Sequence, residues 1–395
     1  MVNSSGKHFL KLILVLLIIV SATPLFAQTR KENTINYHSV KLPDSLMKST
    51  QEIANYFNTN YVGNYQRSKA IYEWITNTFS YDLENFLSLS EVKEEDIIPY
   101  ILTNRKGVCT HYAYLYSEVA NLCGIKTHLV TGYVKQGGEI SQLTHMWCAS
   151  LIDSTWYLVD PTWGAGSVNE NQFLRKATLQ YFTSKIIAFG ESHMPFDPIW
   201  QLRITPISFM QFDNNLSVVV GPKMTPIDFQ SKIAELEAKT EVEQAFNTIE
   251  RIKQLGPANK NVYLHIRDLT RKIDNHNSGY YRKSIISYYR ANNLLNQFML
   301  YRYSQSILYK EDRDIISMID SAQFFVEQSR KYNQAILQPE QYMLESLNEI
   351  NTFLNETQQL ILEQQIFLKK YINTKKRSRP FLLMRQNGTL FPAGY

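Results

Sequence analysis

The chain has 395 residues, 44% of them hydrophobic and 19% charged, and a formal net charge of +5. That length is ample for two domains of roughly 100–200 residues each, and so mild a basic excess gives no reason to expect a nucleic-acid partner. The three cysteines, Cys109, Cys123 and Cys148, are an odd count, so at least one thiol stays unpaired in an oxidising compartment.

The first predicted element is a leader. Lys7 and Lys11 precede an apolar run from Leu12 to Val20, and Leu25-Phe26-Ala27 follows before Gln28. A charged start, a short apolar core and a small residue at the break describe a secretory signal peptide over residues 1–27, cut after Ala27. The run falls short of the roughly 20 apolar residues a membrane span needs. No cysteine follows it closely enough to carry a lipid. The expectation is an exported chain, periplasmic or extracellular, without a membrane span, that keeps +3 of its charge once Lys7 and Lys11 are lost. Residues 28–49 read as an N-terminal arm.

Residues 50–215 carry the chemistry. Gly107-Val108-Cys109, His145-Met146-Trp147 and Asp160-Pro161-Thr162-Trp163 fall within the 58-residue run from Lys106 to Trp163, with Gly164 next. A neutral thiol is a poor nucleophile, so it needs a base to hold the thiolate and an acid group to orient that base; a thiol, an imidazole and a carboxylate supply those parts. Ala113, Tyr116 and Ala120 follow Cys109 at helical spacing up to a stop at Gly124, which places Cys109 in a first helical turn. Backbone N–H groups and the helix dipole favour a thiolate there, and the same N–H groups suit an oxyanion hole. Gly107 lets the backbone turn sharply or lets a substrate approach.

Thr127 to Val134, His145 to Ile152 and Thr155 to Asp160 read as strands, the last two joined by a hairpin turn at Asp153-Ser154. If Ile152 pairs with Thr155, Trp147 falls opposite Asp160 and His145 opposite Thr162. His145 and Asp160 then share one face, roughly 7–8 Å apart at the backbone. Each residue alone has a plainer use: a buried helix-start cysteine, a satisfied strand histidine, a cap before Pro161. The joint arrangement favours a site made of Cys109, His145 and Asp160. Gly107 and Val108 before the nucleophile, with Trp147 and Trp163 beside the other two, are the residues expected to line a substrate cleft. Core packing is the plainer use of both tryptophans. Cys109-Thr110-His111 lacks a second ligand pair for zinc, so no metal is expected, and nothing calls for another cofactor. Two buried free thiols are preferred at Cys123 and Cys148, with a disulfide between them left open.

These blocks resemble the transglutaminase-like superfamily, papain-related α+β cysteine enzymes with a Cys-His-Asp triad on a helix start and two neighbouring strands. Arg105-Lys106-Gly107-Val108-Cys109 with Tyr112-Ala113 looks like the nucleophile motif, His145-Met146-Trp147 like the histidine strand, and Trp156-Tyr157-Leu158-Val159-Asp160-Pro161-Thr162-Trp163-Gly164 like the aspartate strand. Ala70-Ile71-Tyr72-Glu73-Trp74-Ile75, ending at Tyr81-Asp82, is similar to the helix that precedes the cysteine. His193-Met194-Pro195, Asp197-Pro198 and Trp200-Gln201 look like the block that follows the core in the kyphoscoliosis-peptidase-like branch. Cys148 departs from the pattern, since relatives often carry asparagine there. The resemblance implies a papain-like core, a cysteine-bearing helix packed on an antiparallel sheet, over residues 50–215.

After about Asp213 the character changes. Asn214-Asn215, Gly221-Pro222 and Pro226 mark residues 216–230 as a linker. Residues 231–378 read as an all-α bundle and 379–395 as a tail, with Lys375-Lys376-Arg377 and Arg379 a solvated basic patch. Helical spacing runs from Ile233 to a stop at Gly256-Pro257, then over Tyr280 to Tyr303, Ile315 to Ile336, and from near Pro339 to about Tyr371, none longer than about 35 residues. Leu347, Leu354, Ile361 and Leu368 recur every seventh position, which suits packing within the domain better than a dimerising coiled coil. Packing is also the expected use of Tyr280, Tyr281, Tyr288 and Tyr289, rather than a ligand groove. The expected activity is cysteine acyl transfer, a peptidase or amidase working through a Cys109 thioester on a protein or peptide substrate. The alternatives are a protein-crosslinking transglutaminase or a non-catalytic peptide- or glycan-binding module. A protein partner for the helical domain is a further expectation.

Overall fold

The computed structural model describes residues 37–89, 92–184, 186–216, 226–256 and 258–384. The signal-peptide reading, much of the arm, Gly221-Pro222 in the linker, Pro257 and the end of the tail lie outside them. Helix and sheet are mixed in an α+β arrangement whose C-terminal region is helical. The described residues fall into two bodies, one of residues 37–129 and 150–184 and one of residues 130–149 and the described residues from 186 to 384.

In the first body α1 spans Thr50–Asn60 and α2 spans Asn64–Thr78. The Ser49 side chain caps α1 by accepting from the Glu52 N–H at 3.2 Å. Helix α2 is buried almost all round, with Ile71, Tyr72, Trp74 and Ile75 fully enclosed. Its polar side chains are therefore paired: Lys69 Nζ lies 2.5 Å from Glu73 Oε1, and Ser68 Oγ meets the Tyr116 hydroxyl at 2.6 Å. After β1 (Ser80–Tyr81), α3 (Glu94–Asn104) ends at Arg105 in the left-handed region, φ 54°. Strand β2 (Lys106–Gly107) then runs parallel to β1, Tyr81 beside Gly107, and feeds directly into α4 (Cys109–Leu122).

Helix α4 turns Tyr112, Leu115, Tyr116 and Val119 fully inward. Gly124, at φ 77°, ends it, and Arg67 Nη1 donates to the Cys123 carbonyl at 2.8 Å, covering the last turn. Strands β3 (Thr127–Gln136), β4 (Glu139–Ile152) and β5 (Thr155–Val159) follow. Asp153 and Ser154 both have positive φ, 46° and 66°, as a two-residue hairpin turn requires. Strand β4 starts six residues before His145, ahead of the expected point. Strand β5 stops at Val159, because Asp160 leaves the ladder to cap a short helical turn, Pro161–Ala165. The expected strand pairing of His145 with Thr162 therefore does not form. A two-stranded ribbon, β6 (Gly166–Asn169) and β7 (Gln172–Arg175), closes this body.

In the second body β8 (His193–Pro195) pairs antiparallel with β3, Val134 opposite His193, and the four-stranded sheet runs in the order β5-β4-β3-β8. Tyr133 and Met194 from these strands share a core with Phe196, Phe209, Phe212, Ile252, Leu255 and Val262. The segment read as one helix up to Gly256 is two, α5 (Phe229–Glu237) and α6 (Glu241–Gln254), because Thr240 accepts from the Glu243 N–H and caps a new start. The expected limit of about 35 residues fails at α7 (Lys260–Tyr303), which is 44 residues long. Asn259 caps it, and Val262, Ile266, Leu269 and Ile273 continue its apolar stripe ahead of Tyr280. With α8 (Asp312–Gln334) and α9 (Gln341–Asn373) it encloses a core that includes Leu354, Ile361 and Leu368, so the heptad faces its own bundle. Tyr281 and Tyr288 pack against that core, while Tyr289 is exposed. Among the described residues no helix is long and apolar enough to cross a membrane.

Candidate active site

Cys109 is the first residue of α4 and is half-buried, as the spacing after Gly107 predicts. No disulfide joins any of the three cysteines, and Cys123 and Cys148 are buried. Burial pushes the Cys123 thiol up to about 11, against a smaller opposing effect of Arg67. An exposed low-pKa thiolate is what a reactive cysteine needs, and Cys123 is its opposite.

The β1–β2 ladder sets Tyr81 beside the nucleophile motif: Ser80 N–H donates to the Arg105 carbonyl at 3.1 Å and Asp82 N–H to the Gly107 carbonyl at 3.0 Å. Burial raises the Tyr81 hydroxyl well above its usual value, and the negative charges available to Cys109 and Asp160 raise it further. Tyr81 thus senses both groups electrostatically and stays a neutral phenol. Asp160 is fully buried, and its Oδ1 accepts the N–H groups of Thr162 at 2.8 Å and Trp163 at 3.1 Å. Capping is therefore one use of this carboxylate. Gly164 follows because a Cβ there would lie 1.9 Å from the Tyr72 hydroxyl, which donates to the Thr178 carbonyl at 2.8 Å. Trp163 is half-buried and meets Tyr181 edge to face at 5.4 Å.

Next to the nucleophile, Gly107 and Val108 are buried. A Cβ on Gly107 would come within 2.7 Å of the His111 Cβ, so the glycine makes room for a side chain of this chain. Directly after β1, Asp82 is almost fully buried. Burial pushes its carboxyl up, but the Tyr100 hydroxyl at 2.8 Å, Asn85 and Lys106 together pull it below the usual carboxylate value.

In the second body His145 lies on β4, 7% exposed, within a cluster of rings. Its ring stacks on Trp147 at 6.0 Å and stands 5.7 Å from His193. His193 packs on Phe189 at 4.1 Å, meets Trp147 edge-on at 5.2 Å, and has Nδ1 2.8 Å from Ser192 Oγ. Trp147 is fully enclosed, and with the Met194 backbone it leaves no room at Gly132, where a Cβ would meet the Met194 carbonyl oxygen at 2.2 Å and the Trp147 ring at 2.5 Å. His145 and His193, and in the first body Asp160, are each buried.

The residues that pattern reading missed are Tyr81 as a neighbour of the thiol, His193 beside His145, and His111 behind Gly107. Tyr81-Asp82 and His193-Met194-Pro195 stood out as blocks, but nothing in their spacing placed their side chains here.

Residues 51–161, a stretch that contains Cys109, His145 and Asp160, match the family model for the transglutaminase-like superfamily. This part of the chain is a transglutaminase-like domain. Kyphoscoliosis peptidase of Homo sapiens is 32% identical over 160 residues, covering 38% of this chain and 24% of that protein, and the Mus musculus protein matches to the same extent. The Lim and transglutaminase domain protein ltd-1 of Caenorhabditis elegans is 24% identical over 168 residues, covering 37% of this chain and 22% of that protein. This stretch is similar to the kyphoscoliosis-peptidase-like branch of the superfamily. The chain spans about a quarter of the length of the curated relatives it matches. Among solved structures, the periplasmic domain of TgpA from Pseudomonas aeruginosa aligns with 23% identity and a TM-score of 0.25, covering 32% of this chain and 46% of that one.

Proposed function

We propose that the protein is an exported cysteine acyl-transfer enzyme whose water-accepting form is a peptidase or amidase. The observation that carries this reading is the family match, which spans the thiol, the imidazole and the carboxylate in one stretch. Support comes from the helix-start position of Cys109 and from relatives that are named peptidases.

In this reading the Cys109 thiolate attacks an amide carbonyl carbon. A C–S bond forms, and the carbonyl electrons move to oxygen, where N–H groups at the start of α4 hold the charge. The oxyanion collapses, the C–N bond breaks, and the His145 imidazolium gives its proton to the leaving amine. Water then attacks the thioester and gives a proton to His145. The C–S bond breaks, and the thiolate and imidazolium return. Asp160 holds the imidazole tautomer and stabilises its charged form. Gly107, Val108 and Trp163 line the approach to the thiol, and Trp147 backs the His145 ring. The substrate is a protein or peptide, and the helical region offers the surface for a protein partner.

The test is alkylation of the mature protein by iodoacetamide near pH 6. Cys109 should react faster than a free model thiol, and His145→Ala should remove that advantage; Cys109→Ala identifies the labelled site. Equal rates for Cys109 and the model thiol, unaltered by His145→Ala, would refute the enzyme. A peptide library scored for cleaved against crosslinked products then separates hydrolysis from transamidation.

A further inference from the structure

The N-terminus of α4 has an unusual cap. Val108 occupies the N-cap position and has no side-chain acceptor to offer, although its own N–H is buried. The missing acceptor comes from the third helical residue: the Val108 N–H donates to His111 Nδ1 at 3.3 Å. Glutamate or glutamine ordinarily takes this place in a capping box. A histidine works only while Nδ1 keeps its lone pair, so the proton of the neutral ring sits on Nε2. The ring is fully buried, and Nε2 has no hydrogen-bond partner. It rests against Gly107, where a Cβ would come within 2.7 Å of the His111 Cβ and 2.9 Å of its Cγ. Thus both residues before the nucleophile are seated on one imidazole.

We propose that neutral His111 is a positioning residue for Cys109, holding the Gly107-Val108 backbone so that the first turn of α4 presents the thiol. The proposal rests on the reading of Cys109 as the nucleophile. His111 touches no substrate. It acts through the Val108 N–H, because a buried N–H that loses its acceptor is costly enough to shift this backbone.

The arrangement is also sensitive to protons. Burial depresses the His111 pKa to about 4, while the charge of Asp82 works in the opposite direction. The groups facing the ring are Tyr100 of α3, with ring centres 5.1 Å apart, and Asp82, which is itself 3.6 Å from Lys106. Because the folded value lies below the unfolded one, the neutral cap is intact at neutral pH and fails as pH falls towards 4. A protonated Nδ1 would turn a donor towards the Val108 N–H and break the cap.

The experiment compares the mature wild type with His111→Leu, which fills the space without an acceptor, and His111→Asn, whose Oδ1 sits near the place of Nδ1. Iodoacetamide rates at Cys109 are followed from pH 4 to 8, with circular dichroism as the check on folding. His111→Leu should react about ten-fold slower at pH 6, a loss on the scale of one buried hydrogen bond. His111→Asn should restore most of the rate, with a shallower acid limb than wild type, because an amide does not titrate. Should the leucine variant fail to fold, the acid limb of His111→Asn decides alone: shallower supports the proposal and superimposable on wild type overturns it. A fast wild type with unchanged rates in both variants overturns this proposal only. A wild type no faster than a model thiol overturns the nucleophile and this proposal with it.

Discussion

Two glycines in the same body should respond in opposite directions to one added methyl group. Gly132 lies on β3 opposite Pro195 of β8. A Cβ there would stand 2.2 Å from the Met194 carbonyl oxygen, 2.5 Å from the end of the Trp147 ring and 2.8 Å from the Pro195 Cα. Two of these three neighbours are backbone, so the clash is relieved only by moving β8, which carries His193. Gly279 lies inside α7, and a Cβ there would meet nothing within 4 Å. Overpacking at Gly132→Ala should cost about 1–3 kcal/mol or more, whereas Gly279→Ala should gain about 0.5–1 kcal/mol from helix propensity. For a body of this size 1 kcal/mol moves the melting temperature by roughly 2–4 °C. Thermal melts followed by far-ultraviolet circular dichroism should therefore fall by about 4–10 °C for Gly132→Ala and rise by about 1–4 °C for Gly279→Ala. Under the proposed mechanism, in which His145 serves Cys109, iodoacetamide labelling of Cys109 should slow in Gly132→Ala, because β8 and Trp147 back His145, and stay unchanged in Gly279→Ala. A neutral Gly132→Ala, in melting and labelling alike, would refute the close approach of β3 and β8.

Asp197 receives Arg251 Nε at 2.8 Å and Nη2 at 2.5 Å, with the Thr248 hydroxyl at 2.8 Å. Asp197→Asn leaves a largely buried guanidinium uncompensated and should cost about 3–5 kcal/mol, read as the urea midpoint; a change under about 1 kcal/mol would mean the pair is solvated. Asp82 has a depressed folded pKa, so it contributes stability above its unfolded value of 3.8 that is lost as pH falls through the folded value. Asp82→Asn should flatten the acid end of the stability profile, and an unchanged slope below pH 4 would contradict the Tyr100, Asn85 and Lys106 contacts. Leu354→Ala removes a fully buried side chain from the bundle core and should cost about 2–5 kcal/mol with no change in oligomeric mass by light scattering. A shift in mass would return the heptad to an intermolecular role.

The sequence by itself determined what depends on neighbours a few residues away. Cys109 at a helix start, the stop at Gly124, the hairpin turn at Asp153-Ser154 and three of the four sheet strands follow from period, turn chemistry and composition, all local properties. The capping pattern Thr240-Glu241-Val242-Glu243 was equally local, yet the continuous apolar spacing from Ile233 concealed the break it marks. The reverse held at Asn275-His276-Asn277-Ser278-Gly279, a polar run that hid the middle of α7; packing of Ile273 on one side and Ala291 on the other carries the helix through it.

Only the tertiary structure decided which side chains meet. Strand pairing of residues 26 positions apart put Tyr81 beside Gly107. A capping turn took Asp160 out of the strand that was expected to carry it. Antiparallel pairing of β8 with β3 set His193 next to His145 across 48 residues of chain. Such contacts arise from the shared burial of rings and the pairing of distant backbones, and no local period encodes either. The three letters of the proposed site stand in the chain; the neighbours packed around each of them could not be read there.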